Sequence, residues 1–445
     1  MASTSLSKTP SSAGNRKKFN FSFWLKGNDF VSDYMFFSAS GSSESSILFD
    51  SSSRLEYYEY NGSSKTTQVT TNRVFRDPSA WYHINISIDT TQSTSSNRVK
   101  FYVNGVQETS LANSTYGSQN FDSLFNNTTA QYIGGTGSGG YFDGSMTHIN
   151  FNDGYTYAPT SFGETDATSG IWTAKTTPSV TYGTNGFFLK MENASAMGTD
   201  SSGNSNTFTV SGSLTKNQDT PNNNFATFNP VYKSLNQPTY TQGNLTVTTS
   251  GNEYRLSFSS IANSTGKWYA EFKRVVGTTD EVFLGVSSEN DVNNLFPITN
   301  YYLGETSKSV SISSGNGRYY IGSSATTYAA SYIAGDIIGI ALDLTNKKLY
   351  ASKNGAWSTG SGAWGSTTFN ASTGAIDISS IIASGEFGFL GCSNSGTSTF
   401  TANFGNGYFG TTPVSSAGTN ASGNGIFEYD VPTGYTALST EGLNS

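Results

Sequence analysis

The chain has 445 residues, which at roughly 150 residues per domain implies two to three domains. Charged residues make up 12%, against about 25% in an average globular chain, which excludes charge-driven disorder, coiled coils and long surface helices. The net charge of −7 with no basic stripe argues against nucleic acid as a partner, and no stretch of about 18 apolar residues is present to insert into a membrane as a helix.

Residues 1–15 are rich in Ser and Thr and read as a flexible N-terminal arm. The first 18 residues have no apolar h-region, so no secretory signal is expected, and Arg16-Lys17-Lys18 is too short for a polybasic anchor. Phe19, Phe21, Phe23 and Leu25 then alternate with Asn20, Ser22, Trp24 and Lys26. Period two with one apolar face predicts a half-buried strand. Similar signals recur at 34–39, 46–50, 54–60, 81–89, 98–103 and 145–151. Within 81–89, Tyr82, Ile84, Ile86 and Ile88 share one face, while Trp81, His83, Asn85 and Ser87 share the other. Asn104-Gly105 joins two extended runs, and both residues accept positive φ in a type I′ hairpin turn.

Residues 161–244 are rich in Ser, Thr and Asn and read as a bridging segment with a few short strands. The strand pattern resumes at 246–248, 253–258, 268–273, 281–286, 337–342, 348–352 and 386–392. Here Leu342-Asp343, a polar turn and a strand into Asn354-Gly355 echo Ile88-Asp89 and the strand into Asn104-Gly105. The echo predicts two related units in tandem. The single cysteine, Cys392, allows no intramolecular disulfide and reads as a small buried apolar residue. Residues 411–445 form a C-terminal extension. No long 3.6-residue period is present, so the prediction is an all-β chain of two sandwiches.

The runs Phe21-Ser22-Phe23-Trp24-Leu25-Lys26, Trp81-Tyr82-His83, Phe101-Tyr102-Val103-Asn104-Gly105 and Tyr141-Phe142-Asp143-Gly144 resemble the laminin-G, concanavalin A-like lectin/glucanase sandwich over residues 16–160. Gly266-Lys267-Trp268-Tyr269-Ala270-Glu271, Leu284-Gly285-Val286, Gly335-Asp336-Ile337-Ile338-Gly339, Lys353-Asn354-Gly355 and Ala402-Asn403-Phe404-Gly405 resemble a SPRY domain over 245–410. The resemblance implies two concanavalin-like, jelly-roll sandwiches in tandem. Segments 199–204 and 219–227 of the bridge look like linkers between these modules in tailed-phage virion proteins. That likeness implies a structural protein of a bacteriophage virion, with other virion proteins as partners and a host cell-surface glycan as a further one.

The fold hosts glucanases, which makes paired carboxylates the first catalytic signal to weigh. A retaining glycosidase needs two carboxyls about 5–5.5 Å apart, hence i, i+2 or i, i+4 on one strand face. Glu56 and Glu59 are three apart and fall on opposite faces; Asp280 and Glu281 are adjacent; Asp377 stands alone. Only His83 and His148 could serve a nucleophilic triad, and both fall on predicted strands, where a surface hydrogen-bonding role is expected. No Cys/His spacing suits zinc. The glycine run 134–140 lacks the Lys-Ser/Thr and the helix of a phosphate loop. Calcium is the one cofactor left open, with Asn150, Asn152 and Asp153 of one oxygen-rich stretch and Asp200 of another as candidate ligands; the EF-hand pattern fails because Ser161 stands where its Glu belongs.

Sugars stack on aromatic faces, and Trp364 in the Gly/Ser-rich 354–365 loop is the leading contact residue. Trp357 beside it is expected to pack. Tyr57 and Tyr58 form a dense aromatic patch of which alternation should bury only one, whereas Trp24 and Trp268 read as packing residues. The resemblance implies a non-enzymatic function: a virion surface appendage such as a tail fibre, assembled as a homo-oligomer, whose loops contact host glycan or other virion proteins. A head-decoration protein without receptor role is the nearest alternative. A cellular carbohydrate-binding adhesin or a polysaccharide depolymerase stands further off.

Overall fold

The computed structural model describes residues 4–30, 33–232, 234–277 and 282–443. The chain divides into two compact units, residues 1–216 with 220–222 and residues 217–219 with 223–445.

In the first unit the strands are β1 (Ser5–Lys8), β2 (Lys18–Gly27), β3 (Tyr34–Ser40), β4 (Glu44–Phe49), β5 (Arg54–Tyr60), β6 (Lys65–Val74), β7 (Tyr82–Asp89), β8 (Val99–Val103), β9 (Val106–Glu108), β10 (Leu111–Thr115), β11 (Gln131–Ile133), β12 (Gly144–Asp153), β13 (Gly163–Thr165), β14 (Trp172–Ala174), β15 (Phe187–Leu189) and β16 (Thr209–Ser211). An eight-stranded sheet, β10-β6-β5-β4-β3-β11-β1-β16, faces a six-stranded sheet, β15-β12-β2-β7-β8-β9. Phe19, Phe21, Phe23 and Leu25 of β2 and Ile84, Ile86 and Ile88 of β7 enter one apolar core with Phe36, Phe49 and Tyr57 from the other sheet. The period-two reading of both strands thus holds for the inner face.

In the second unit the strands are β17 (Thr239–Thr241), β18 (Thr246–Thr249), β19 (Arg255–Phe258), β20 (Lys267–Val276), β21 (Val282–Ser288), β22 (Ser309–Ser313), β23 (Tyr319–Ile321), β24 (Ser324–Thr326), β25 (Ile337–Asp343), β26 (Lys348–Lys353), β27 (Ala356–Trp357), β28 (Ile376–Asp377), β29 (Gly388–Asn394), β30 (Ser398–Asn403), β31 (Tyr408–Phe409), β32 (Thr412–Pro413) and β33 (Thr436–Ala437). One sheet runs β17-β18-β30-β20-β25-β26-β27, with β28 on β26 and β33 on β20; the other runs β19-β29-β21-β22-β23-β24. Cys392 lies in their shared core, where burial pushes its thiol up to about 12.

The echo read from the sequence is a shared register. Lys18 pairs with Asp89 and Ile88 with Val99 in the first unit; Lys267 pairs with Asp343 and Leu342 with Leu349 in the second. Asn104 (φ 47°) and Gly105 (φ 83°) turn the first hairpin, Asn354 (φ 49°) and Gly355 (φ 80°) the second, all left-handed as a type I′ turn requires. In each, the Asn side-chain oxygen accepts from a backbone N–H near the start of the partner strand, His83 at 2.8 Å and Ile337 at 2.9 Å.

Three expectations need correction. Residues 5–8 of the N-terminal arm form a strand between β11 and β16, because Leu6 has a core to enter. Residues 161–244 are no independent bridge: β15 and β16 extend the sheets of the first unit, while Phe225, Ala226 and Phe228 are buried in the second. The C-terminal extension is part of the second unit, with Phe427, Val431 and Tyr435 buried against Tyr269 and Tyr350.

Candidate functional site

The outer face of the six-stranded sheet carries the unusual chemistry of the first unit. Alternation places Asn20, Ser22 and Trp24 of β2, His83, Asn85, Ser87 and Asp89 of β7, and Lys100 and Tyr102 of β8 on that face. A half-buried strand would leave these side chains in water. Instead the chain after β12 returns over them, and His83 and Asn85 are fully buried. Asn85 Nδ2 and Ser87 Oγ donate to the Tyr157 carbonyl at 3.1 and 3.3 Å. The β13–β14 hairpin adds Trp172, whose ring lies where a Cβ on Gly163 would come within 2.6 Å.

His83 is held between two indoles, 4.9 Å from Trp24 and 5.9 Å from Trp172 between ring centroids, both stacked. Trp172 Nε1 sits 3.0 Å from His83 Nδ1, and Ser22 Oγ sits 2.9 Å from Nε2. An indole nitrogen only donates, so Nδ1 carries the lone pair and Nε2 carries the proton. Burial pushes the imidazole down to about 3. A Ser–His pair is therefore present, but the third partner is an indole where a triad needs a carboxylate. Both members are sealed from water and the base is too weak to take a proton at neutral pH, so Ser22 is no nucleophile. The surface role expected of His83 is replaced by that of a neutral core clamp. His148 also departs from expectation: it sits at a bulge in β12 with φ 48°, half-buried, its Nδ1 3.1 Å from Thr147 Oγ1.

The cover stops short at the end of β7 and β8. There an open groove of about 290 Å³ is lined by Ser87, Asp89, Gln92, Lys100, Tyr102 and Tyr157 among others. Tyr155 stacks on Tyr157 at 6.2 Å beside it, and at 43% it is the most exposed tyrosine among the described residues. Asp89 is occupied: Oδ1 accepts from Thr91 N–H at 3.1 Å and Thr91 Oγ1 at 2.5 Å, and Oδ2 from Gln92 at 2.8 Å. In the second unit the register equivalents of Ser87, Lys100 and Tyr102 are Ala341, Tyr350 and Ser352. That face is sealed by Phe427, Val431, Tyr435 and Phe369. One strand framework thus carries a closed apolar layer in one unit and an open polar groove in the other. A larger hollow of about 370 Å³ beside residues 194–214 has no charged or amide side chain in its lining.

The residues singled out from the sequence lie elsewhere. Tyr57 (1% exposed) and Tyr58 (8%) are both buried, against the expectation that one would be free. Tyr57 enters the core and donates to Glu59; Tyr58 lies on the opposite face, donates to Glu44 at 2.6 Å and is covered by Lys65 at 4.2 Å from its ring centre. Trp357 packs on Phe369 and Tyr269, as expected. Trp364 is half-buried against the core, its indole N–H donating to Ala330 at 2.9 Å, so its polar atom is already taken by the protein.

The calcium candidates do not fit a cation. Asn150, Asn152 and Asp153 lie on β12, and alternation sends Asp153 to the face opposite the two amides. Asp153 accepts from Asn15 N–H (2.7 Å), Asn126 Nδ2 (2.6 Å) and Asn185 N–H (3.1 Å). Asp200 accepts from the N–H groups of Phe188, Ser202 and Asn206 and from Ser202 Oγ, at 2.8–2.9 Å. Both carboxylates are engaged by donors of the chain itself, three at Asp153 and four at Asp200, and Asp153 faces away from the two amides that would complete a site with it.

The carboxylates singled out from the sequence do not converge. Glu56 accepts from Lys65, Gln68 and Thr70 on the outer face of the eight-stranded sheet, and Glu59 points the other way. Glu44 lies opposite Tyr60 and Glu56 opposite Leu48, four residues along β4, so roughly 13 Å separates the two positions. Asp377 is bound to Lys348 at 2.8 Å. Asp280 and Glu281 lie outside the described residues.

A match to the concanavalin A-like lectin/glucanases superfamily spans residues 2–160, which contain the groove. No curated protein matches the chain. Among solved structures, the SPRY domain of human HERC1 is similar over 39% of this chain and 96% of that one, at 16% identity and a TM-score of 0.29. A native heptameric SAP-like pentraxin from Limulus polyphemus is similar over 35% and 73%, at 16% identity and 0.25. A human SPRY domain is similar over 38% and 94%, at 14% identity and 0.27.

Proposed function

We propose that this chain is a non-enzymatic glycan-binding and structural protein, displayed in several copies on the surface of a bacteriophage particle as a fibre or tail component. The open groove beside Lys100 and Tyr102 carries the binding half of this reading. Aromatic rings next to unsaturated polar groups are what a sugar needs: apolar C–H faces stack on rings, and hydroxyls exchange hydrogen bonds. The lectin-type match over the same residues supports it. Hydrolysis is disfavoured because the groove lining contains one carboxylate, Asp89, where two are required. A weak groove repeated on one particle gains avidity without any new contact.

The virion placement rests on the resemblance of the bridging segment, and partner proteins and a homo-oligomeric state belong to that proposal. Two measurements test it. The full chain should be retained on host surface polysaccharide, and Tyr102→Ala should lose that retention while remaining folded. Gold-labelled antibody against the chain should decorate fibres or the tail of purified particles. Label on the head would favour the decoration role, and no label would end the virion proposal.

A further inference from the structure

We infer that the groove selects glycans bearing an anionic substituent, a sugar carboxylate or phosphate, and that the Lys100 ammonium recognises it. This rests on the glycan reading above and names the ligand class. Lys100 stands on β8 between the core residues Val99 and Phe101, opposite Ser87, so its side chain belongs to the groove face. It is half-buried and has no acceptor or ion-pair partner among the described residues. The other charged side chain lining the groove, Asp89, is held by Thr91 and Gln92 and stands opposite Lys18 in register. The groove therefore offers an ammonium with no direct carboxylate partner among the described residues, beside a hydrogen-bonded Asp89, on a chain whose net charge is −7.

The fold does not require a lysine there, because the same register position in the second unit is the buried Tyr350. A partly desolvated ammonium regains its hydrogen bonds best from an anionic oxygen, where both partners are ionised and Coulomb attraction adds to the charge-assisted bond. Neutral hydroxyls give less. At about 290 Å³ the space lies at the small end of ligand pockets, which suits one charged sugar unit with its neighbours outside.

The test uses the full chain and calorimetric titration with four probes: trigalacturonate, its neutral methyl ester, a trisaccharide ending in mannose 6-phosphate, and its dephosphorylated form. The expected result is at least tenfold tighter binding of one or both charged probes than of the neutral counterpart. Which charged probe wins separates carboxylate from phosphate. Lys100→Gln should erase the discrimination, Lys100→Arg should keep most of it, and added salt should weaken it. Equal binding of charged and neutral forms, unmoved by Lys100→Gln, overturns anion selection and leaves the glycan reading intact, provided Tyr102→Ala abolishes both. Binding of none of the four by the folded wild-type chain overturns this inference. It counts against the glycan reading only if host polysaccharide is not retained either.

Discussion

Acid should unlock the first unit through His83. The imidazole is fully buried, and its Nδ1 must stay unprotonated to accept from Trp172. Protonation would set two donors against each other at 3.0 Å and place a charge between two indoles. Ser22, Trp24, Trp172 and the Asn104 turn surround it, and His148 is the titratable group that acts on it. The group's folded value, about 3, lies below its unfolded value of about 6.5. Its contribution is thus fully present above pH 6.5 and is lost as pH falls toward 3. Between pH 6.5 and pH 4 the unfolded chain holds a proton that the folded chain does not, over two and a half pH units at about 1.36 kcal/mol each, or about 3 kcal/mol. That is a large part of the roughly 5–15 kcal/mol of a typical domain. Urea unfolding of the full chain at pH 7, 5 and 4, wild type against His83→Gln, measures the term by difference, since the other titrating groups are common to both. The variant should start less stable and lose about 3 kcal/mol less on acidification. Equal acid losses, or imidazole ¹⁵N shifts showing protonated His83 at pH 5, would refute the reasoning.

Glu271 should act with the opposite sign in the second unit. Burial pushes its carboxyl up to about 7 although the N–H groups of Glu428 and Tyr429 donate to it at 2.8 and 2.9 Å; raised above its unfolded value, it contributes stability below pH 4.5 that is lost as pH rises through 7. Unfolding of that unit should therefore cost up to about 3 kcal/mol less at pH 8 than at pH 4, and Glu271→Gln should flatten the profile. Trp364→Ala should lower stability by about 1–2 kcal/mol yet leave oligosaccharide affinity unchanged, while Tyr102→Ala should do the reverse; calorimetry on both variants reads the split. Asp153→Asn replaces an acceptor of three N–H donors and should cost about 2–3 kcal/mol. Millimolar calcium or a chelator should leave the melting temperature of the wild type unmoved.

The fold was legible wherever one side of a strand is apolar. Phe19, Phe21 and Phe23 announced β2, and the two Asn-Gly turns announced both hairpins and their kinship. What alternation cannot reveal is a second cover. Ser22, His83 and Asn85 read as a solvated face, and only the return of residues 155–174 makes that face an interior. The same blindness hid Tyr58, buried by long side chains from neighbouring strands that carry no apolar signal. Leu6, a single apolar residue among serines, gave no period from which to predict β1. Lys100 and Tyr102 lie within the 98–103 strand signal, where nothing local sets them apart from other polar positions. Their distinction arises where the covering chain ends, a long-range fact that no local pattern carries. A Gly/Ser-rich loop suggests an exposed tryptophan for sugar contact, yet every tryptophan among the described residues is buried or half-buried.

Glycan binding by the first unit is proposed for the groove left open over β7 and β8. Hydrogen–deuterium exchange of the full chain, with and without the host polysaccharide fragment that it retains, tests it most directly. Protection should concentrate in residues 85–103 and 154–158. Protection centred on the 354–365 loop instead, or bound oligosaccharide with no change in the 85–103 segment, would contradict it.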